Sequence, residues 1–446
     1  MDRRYERRKH AVLADCKVPR RMLHGALERL VGFVAPFAER LTDPTQREHA
    51  VAYCQGLVSD VERKNVEAIA YQHDQDRRNL QHFIGTSAWD HAPLMDELCN
   101  QIADELGESD AVLVIDPSAF PKCGKQSVGV QRQWCGRLGK VENCQVGVYL
   151  GYASRSEHAL VDFRLYLPKD WACDRPRRNL AGVPKKLKFQ TRHELALEMI
   201  RERRATLRHR WVTADDEFGK VGHFRRELHE LQETYLLAVP GSTNVRVLAG
   251  DELPRRGQKG QKAPPFQRVD QVAALLPIGA WQQVDVRDGE KGALIYEVAV
   301  IPRVQAKGEG RAMRYAETLV VIRYTDNSGT RQQDYYLSDA ASSTPAAEFA
   351  RVACAERRVE ECIRRSKGEA GLADYEVRHW LGWHHHQTLS LIATWFLVQE
   401  TRRGKKAGPG IDRSAGAEDP RQAPAFGLEG CTASLDPAAF RATIAA

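Results

Sequence analysis

From residue 20 to about 106, apolar residues recur at helical spacing and polar ones fill the gaps. Leu23, Leu27, Leu30, Val31 and Val34 make one stripe, with Pro36 expected to bend it. Thr42-Asp43-Pro44 reads as the start of a second helix carrying Tyr53 and Leu57. A third candidate around Val66 to Tyr71 is bracketed by Arg63-Lys64 and by Arg77-Arg78. Thr86-Ser87 then precedes a helix bearing Leu94, Met95, Leu98, Ile102 and Leu106. Residues 1–107 are therefore expected to be an all-helical module with basic residues between its apolar stripes.

The pattern changes at 111. Ala111-Val112-Leu113-Val114-Ile115 is a short, continuously apolar run expected to be a strand that ends on Asp116-Pro117. Further strands are predicted at 141–153 and 159–167, and a helix at 191–206 opening with a Thr191/Glu194 capping box. Trp211-Val212-Thr213-Ala214 is another short strand, ending on Asp215. A helix at about 222–233 and a strand at 235–239 complete a unit placed at 108–240. A basic, Gly/Pro-rich loop at 254–265 follows, then strand-like alternation at 281–301 and 317–338. Residues 241–340 thus read as a β-rich insertion and return strand. Helix resumes after Thr344-Pro345 and fills 341–402, and the Gly, Pro and Ala-rich tail 403–446 is expected to be flexible. The fold class is α/β.

Charge alters this picture little. Sixty-six Lys and Arg against 59 Asp and Glu give +7 over 446 residues, a mild imbalance whose distribution matters more than its sum. No apolar run approaches the roughly 18 residues of a membrane span, and Met1 to Lys9 offers no apolar signal segment. A cytoplasmic chain is expected. Ten cysteines include no Cys-x-x-Cys pair and no finger-like spacing with His, which points to reduced thiols rather than structural zinc. No nucleophile elbow or phosphate-binding glycine fingerprint is present.

Three acids stand out by position. Asp116 and Asp215 each follow a short apolar strand, and Glu360 lies in a helix after the insertion. Carboxylates at the ends of neighbouring strands, joined by one from a packed helix, would make an all-oxygen site suited to Mg²⁺. The alternatives are a turn at Asp116-Pro117, a solvated loop at Asp215-Asp216-Glu217 and surface charge at Glu360-Glu361.

Several runs resemble the bacterial insertion-sequence DDE transposases. They are Val114 to Lys125, Ser127 to Gly136, Gly139 to Val148, Leu165 to Trp171, Trp211 to Gly219, Tyr336 to Ala340 and Lys367 to Arg378. The resemblance runs in order from about 20 to 400. It implies an RNase H-like core interrupted by a β-strand insertion between the second and third acids, and it assigns Asp116, Asp215 and Glu360 as the catalytic metal-binding triad. Separations of 99 and 145 residues agree with that layout. Asp216 rivals Asp215, but Asp215 keeps the family-like step to Gly219; Glu361 and, more distantly, Glu369 rival Glu360. The family's third motif, Tyr-x-x-Arg-x-x-x-Glu-x-x-x-x-x-x-Lys, is half kept. Lys367 stands seven after Glu360, whereas Ala353 and Glu356 replace the Tyr and Arg.

The resemblance further implies two Mg²⁺ ions (Mn²⁺ substituting), DNA partners at element ends and target, and a homodimer in a synaptic complex. Cleavage at the ends followed by joining of 3′-OH ends to target DNA is the expected activity. A regulator derived from a transposase, without cleavage, and a stand-alone nuclease are the alternatives. Candidate DNA contacts are Lys367, Arg364, Lys122, Lys125, Arg63, Lys64, Arg77 and Arg78, with Arg357 or Arg358 as a possible phosphate clamp. Trp134 and Trp281 could stack on a base but read more readily as core. His384-His385-His386 point in different directions on a helix and are expected to pack, or to set one His near the active site, rather than to bind zinc.

Overall fold

Short polar side chains start three of the first five helices. Asp43 accepts the amides of Thr45 and Gln46, Asn65 that of Ala68, and Asp76 that of Arg78. The computed structural model describes residues 25–73, 75–248, 264–289, 292–307, 313–325 and 329–407. The basic loop at 254–265 lies mostly outside these residues, as do Leu23, the tip of the turn at 326–328 and the tail from 408. The opening helices are α1 (Ala26–Ala38), α2 (Pro44–Val58), α3 (Val66–Gln72), α4 (Arg77–Gly85) and α5 (Ala92–Leu106). Pro36 lies inside α1. The helix α4, which the apolar spacing did not single out, buries Leu80, Phe83 and Ile84.

Four strands follow: β1 (Val112–Pro121), β2 (Gln131–Cys135), β3 (Lys140–Ala153) and β4 (His158–Tyr166). Then come α6 (Arg192–Arg203), β5 (Trp211–Ala214), α7 (Gly222–Glu230) and β6 (Thr234–Val239). The capping box at Thr191 and Glu194 is formed. The remaining strands are β7 (Asn244–Val247), β8 (Gln267–Arg268), β9 (Trp281–Gly289), β10 (Gly292–Ala306), β11 (Glu317–Thr325) and β12 (Arg331–Ser338). Two long helices, α8 (Ala346–Glu369) and α9 (Trp380–Ala407), end the described chain. The second runs five residues past the expected limit at 402.

Among the described residues all twelve strands belong to one mixed sheet in the order β2-β3-β1-β5-β6-β12-β11-β10-β7-β8, with β4 on β3 and β9 on β10. β1, β5 and β6 run parallel, and β12 meets β6 antiparallel. The segment from β7 to β12 therefore prolongs the central sheet rather than standing apart from it, although it encloses a small core of its own around Val245, Val269, Val304 and Leu319.

β1 does not stop at Asp116, as the Asp-Pro step had suggested. It continues to Pro121 against β3, while its pairing with β5 ends at Ile115 opposite Ala214. Beyond that point β1 is paired on one side only, where a strand tolerates Pro117. β2 also escaped the apolar pattern, because four of its five side chains are half-exposed or exposed at the end of the sheet.

Helix α8 crosses β1, β3, β4, β5 and the β9–β10 hairpin, burying Val352, Ala353, Val359 and Ile363. Gly151 lets it approach β3 closely: a Cβ there would come within 2.5 Å of the Val359 side chain. Helix α9 is buried on almost every side between 382 and 396, as expected of a helix at the centre of a molecule. The opening helices share one apolar core with α9 and the sheet, running from Leu30, Tyr53 and Phe83 to Trp383 and Phe396.

Candidate active site

The parallel register of β1 and β5 pairs Ile115 with Ala214, so the next residue on each chain is Asp116 and Asp215. Two carboxylates are thereby carried side by side out of the middle of the sheet. Asp215 also caps the one-turn helix Asp216–Gly219, accepting the Glu217 amide at 3.0 Å. That turn lies against β6 because Gly219 has no side chain; a Cβ there would overlap the Ala238 carbonyl. Behind it the buried Arg225 guanidinium donates to the Gly219 carbonyl and, at 2.8 Å, to Glu317, which also accepts from the Tyr235 hydroxyl at 2.8 Å.

Glu360 reaches the pair from α8. Burial pushes the Asp116 carboxyl up to about 7, helped by the charges of Glu360 and Asp215 and opposed by Lys367. Asp215 rises to about 6, through burial and then the charges of Glu217 and Asp216. A fourth carboxylate completes the group. Glu356, one helical turn before Glu360, is pushed to about 8 by burial and by Asp215, Asp116, Glu360 and Asp334. Sequence reading noted position 356 only as a missing arginine; its spacing of four from Glu360 was the available signal. Asp334 on β12 lies at the edge of the group and is raised by its own burial.

Two rival acids are engaged elsewhere: Glu361 is held by Arg364 in an outward ion pair, and Glu369 pairs with Arg365 at 3.0 Å. Asp216, exposed as Glu360 is, adds its charge to Asp215. Lys367 lies 5.0 Å from the Phe120 ring on the Asp116 side of α8, while Arg364 is exposed and turned to Glu361. Arg358 donates to the Ser154 carbonyl and Arg357 stacks 4.5 Å from the Tyr324 ring.

Two basic candidates make contacts within the fold. Lys64 is buried, and its ammonium donates to the carbonyls of Leu57, Ser59 and Glu369 at 2.7, 2.9 and 2.8 Å. A phosphate cannot reach it. Lys122 donates to the Tyr375 carbonyl at 2.9 Å and lies 3.4 Å from that ring's centre, and burial lowers it to about 8. Lys125, Arg63, Arg77 and Arg78 are exposed; Arg77 faces Glu67 at 3.0 Å and Arg63 faces Glu376 at 3.7 Å.

Trp134 is 57% exposed beside Val141, against the expectation of a core residue, whereas Trp281 is half-buried with Arg323 stacked on it at 3.4 Å. The three histidines pack, as expected. His385 lies between the Ile84 and Trp89 carbonyls at 3.0 and 2.9 Å, and His386 contacts the Tyr53 hydroxyl at 2.9 Å.

Among the described residues no three Asp, Glu, His or Cys side chains already form a finished ligand set. The chemistry of the group nevertheless suits a hard divalent cation. It is all oxygen, and the burial and mutual repulsion that raise Asp116 and Glu356 are what a cation would offset.

Residues 36–293, more than half of the chain, match the family described as DDE superfamily endonuclease. The chain belongs to that family. The matched span contains Asp116 and Asp215, and Glu360 lies beyond it. Similar to this chain in sequence is a probable transposase for insertion sequence element IS701 from Microchaete diplosiphon, 30% identical over 219 residues. The alignment covers 48% of this chain and 53%, about half, of that relative. Among solved structures, the piggyBac transposase synaptic complex with hairpin DNA covers 83% of this chain and 69% of its own at 10% identity. Its TM-score is 0.38. No described helix is long and apolar enough to cross a membrane.

Proposed function

We propose that this chain is a DNA transposase that cleaves the ends of an insertion sequence and joins the freed 3′-hydroxyls to target DNA. The observation that carries the reading is the meeting of Asp116, Asp215, Glu360 and Glu356 at the ends of two parallel strands and one helix face. The strand order around them supports an RNase H-like core, with residues 241–340 inserted between the second and third acids. Asp116, Asp215 and Glu360 would hold the divalent cations, with Glu356 the nearest further carboxylate. When bound, Mg²⁺ would supply charge for both the attacking and the leaving oxygen of an in-line phosphodiester displacement.

The chain's own groups do the rest. The β1–β5 register fixes the spacing of the two aspartates, and the Gly219 turn keeps Asp215 from swinging away. Lys367, on the Asp116 side of α8, would hold a phosphate oxygen of the strand being cut. Each reaction exchanges one phosphorus–oxygen bond for another. Water first attacks and a 3′-oxygen leaves; that 3′-oxygen then attacks the target phosphate and displaces its bridging oxygen. Two ends treated in concert call for a homodimer in a synaptic complex, with exposed Arg63, Arg77 and Arg78 available to the DNA.

The test is incubation of the purified chain with Mg²⁺ and DNA carrying the repeats that flank its own gene, beside unrelated DNA. Cleavage confined to the repeats, with products joined through their 3′ ends, supports the proposal. Binding without cleavage identifies a regulator, and equal cutting of both DNAs a stand-alone nuclease.

A further inference from the structure

Between β4 and α6 the chain carries a stretch that no part of the catalytic reading uses. From Arg175 to His193 it holds seven Lys and Arg (Arg175, Arg177, Arg178, Lys185, Lys186, Lys188 and Arg192) and no Asp or Glu. A net charge this dense is not what an isolated surface loop requires. Two of the arginines build the loop. Arg178 donates to the carbonyls of Ala172, Pro184 and Leu187 at 3.0, 2.9 and 2.7 Å, folding the segment back on itself. Arg177 lies 3.8 Å from the Trp171 ring centre and donates to the Lys125 carbonyl at 2.7 Å. Arg175, Lys185, Lys186 and Lys188 are left exposed on the loop so formed.

Both ends of the segment abut the elements that carry the two aspartates. Lys125, which receives Arg177, is four residues beyond the end of β1. At the other end Arg192 pairs with Glu217 at 2.9 Å, and Glu217 donates its amide to Asp215. His193 contacts the Glu217 carbonyl at 3.1 Å. The segment is thus tied at one end to the turn that carries Asp215 and at the other to the chain beyond β1, with Arg178 holding its Pro184 and Leu187 carbonyls and four cations left outward. Carboxylates repel a polyanion, so a nuclease centre needs a neighbouring cationic surface to bring the phosphate chain in.

We infer that residues 175–192 form a backbone-binding track for duplex DNA, in which Arg175, Lys185, Lys186 and Lys188 contact successive phosphates without reading sequence. The inference rests on the DNA-cleaving reading above and adds to it the surface along which the duplex lies. Phosphate contact predicts salt dependence: each lysine neutralising a phosphate contributes about 0.9 to the slope of log affinity against log salt.

The experiment measures binding of the full chain to a random-sequence duplex across a salt series, without Mg²⁺, for wild type, the triple Ala variant (K185A, K186A, K188A) and the triple Arg variant (K185R, K186R, K188R). The Ala variant should lower the slope by about 3 and weaken binding at least roughly tenfold at 0.1 M salt, while the Arg variant restores both. Melting temperatures of the three should agree, since the lysines are exposed. An unchanged slope in the Ala variant, with wild type binding normally, overturns the track and leaves the catalytic reading standing. An Arg variant as weak as the Ala variant also overturns it, because charge would then not be the cause. Absence of duplex binding by wild type overturns the DNA reading itself, and the track with it.

Discussion

Glu356 stands where the related motif has an arginine, and the substitution changes the electrostatics of the whole centre. A guanidinium would neutralise neighbouring acids; a carboxylate adds to their repulsion and is itself raised to about 8. A carboxyl raised in the folded state stabilises the fold fully below its unfolded value. That contribution is lost as pH climbs through the folded one. In EDTA the protein should therefore lose stability between about pH 4.5 and pH 8, and Glu356→Gln should melt several degrees higher than wild type at pH 8. Equal melting of the two would show that neither burial nor the neighbouring acids penalise the Glu356 charge. Lys64 makes the opposite case of a charge with all its partners supplied by the fold. Lys64→Met leaves the Leu57, Ser59 and Glu369 carbonyls without that donor and should cost about 2–4 kcal/mol in chemical denaturation. A loss under 1 kcal/mol would contradict its role as a staple.

At the scale of elements, the site depends on how closely α8 lies on β3. Gly151→Ala would drive a methyl into Val359, which sits between Glu356 and Glu360 on the helix. The variant should be destabilised by about 1–3 kcal/mol and lose cleavage. Val359→Ala in the same chain should recover part of both, and a double variant no better than the single would sink this packing argument. These elements also explain what could be read without coordinates. Asp116 and Asp215 were legible because each follows a run of four or five apolar residues, the mark of a strand buried on both faces. Continuation of β1 to Pro121 was not, since an Asp-Pro step looks like a turn until β3 is known to pair through it. Glu356 stayed hidden because a helix pattern gives spacing but not which turn faces a distant strand. Lys64 was misread beside Arg63, because the carbonyl of Glu369, 305 residues away, decides which of the two turns inward.

Across the whole molecule, α9 is the post on which the opening helices, β4 and α8 are assembled. Tyr53 of α2 meets His386, the carbonyls of Ile84 and Trp89 meet His385, and Arg29 of α1 pairs with Glu400 at 2.7 Å. A chain beginning at residue 108 would expose that face of α9 and should be insoluble when expressed alone; a soluble, cooperatively melting fragment would contradict the shared core. The same histidines set an acid limit. Burial lowers His385 to about 4 and His386 to about 3, and pulls His384 well below the ordinary value. The unfolded chain binds these protons first, so stability present above pH 6.5 is lost as pH falls below it, by up to about 1.4 kcal/mol per pH unit for each histidine.

The central claim is that Asp116, Asp215 and Glu360 act as one cation-dependent centre. It is tested most directly by the Mg²⁺-dependent rate at which wild type and the single variants D116N, D215N and E360Q cut DNA bearing the flanking repeats. Each substitution keeps the side chain's shape and removes its charge, so folding and binding of the DNA should persist. Removing any one ligand should forfeit several kcal/mol of transition-state stabilisation, a loss of about a thousandfold in rate. Comparable losses in all three variants are the predicted result. Cutting by any one of them at the wild-type rate would contradict the account.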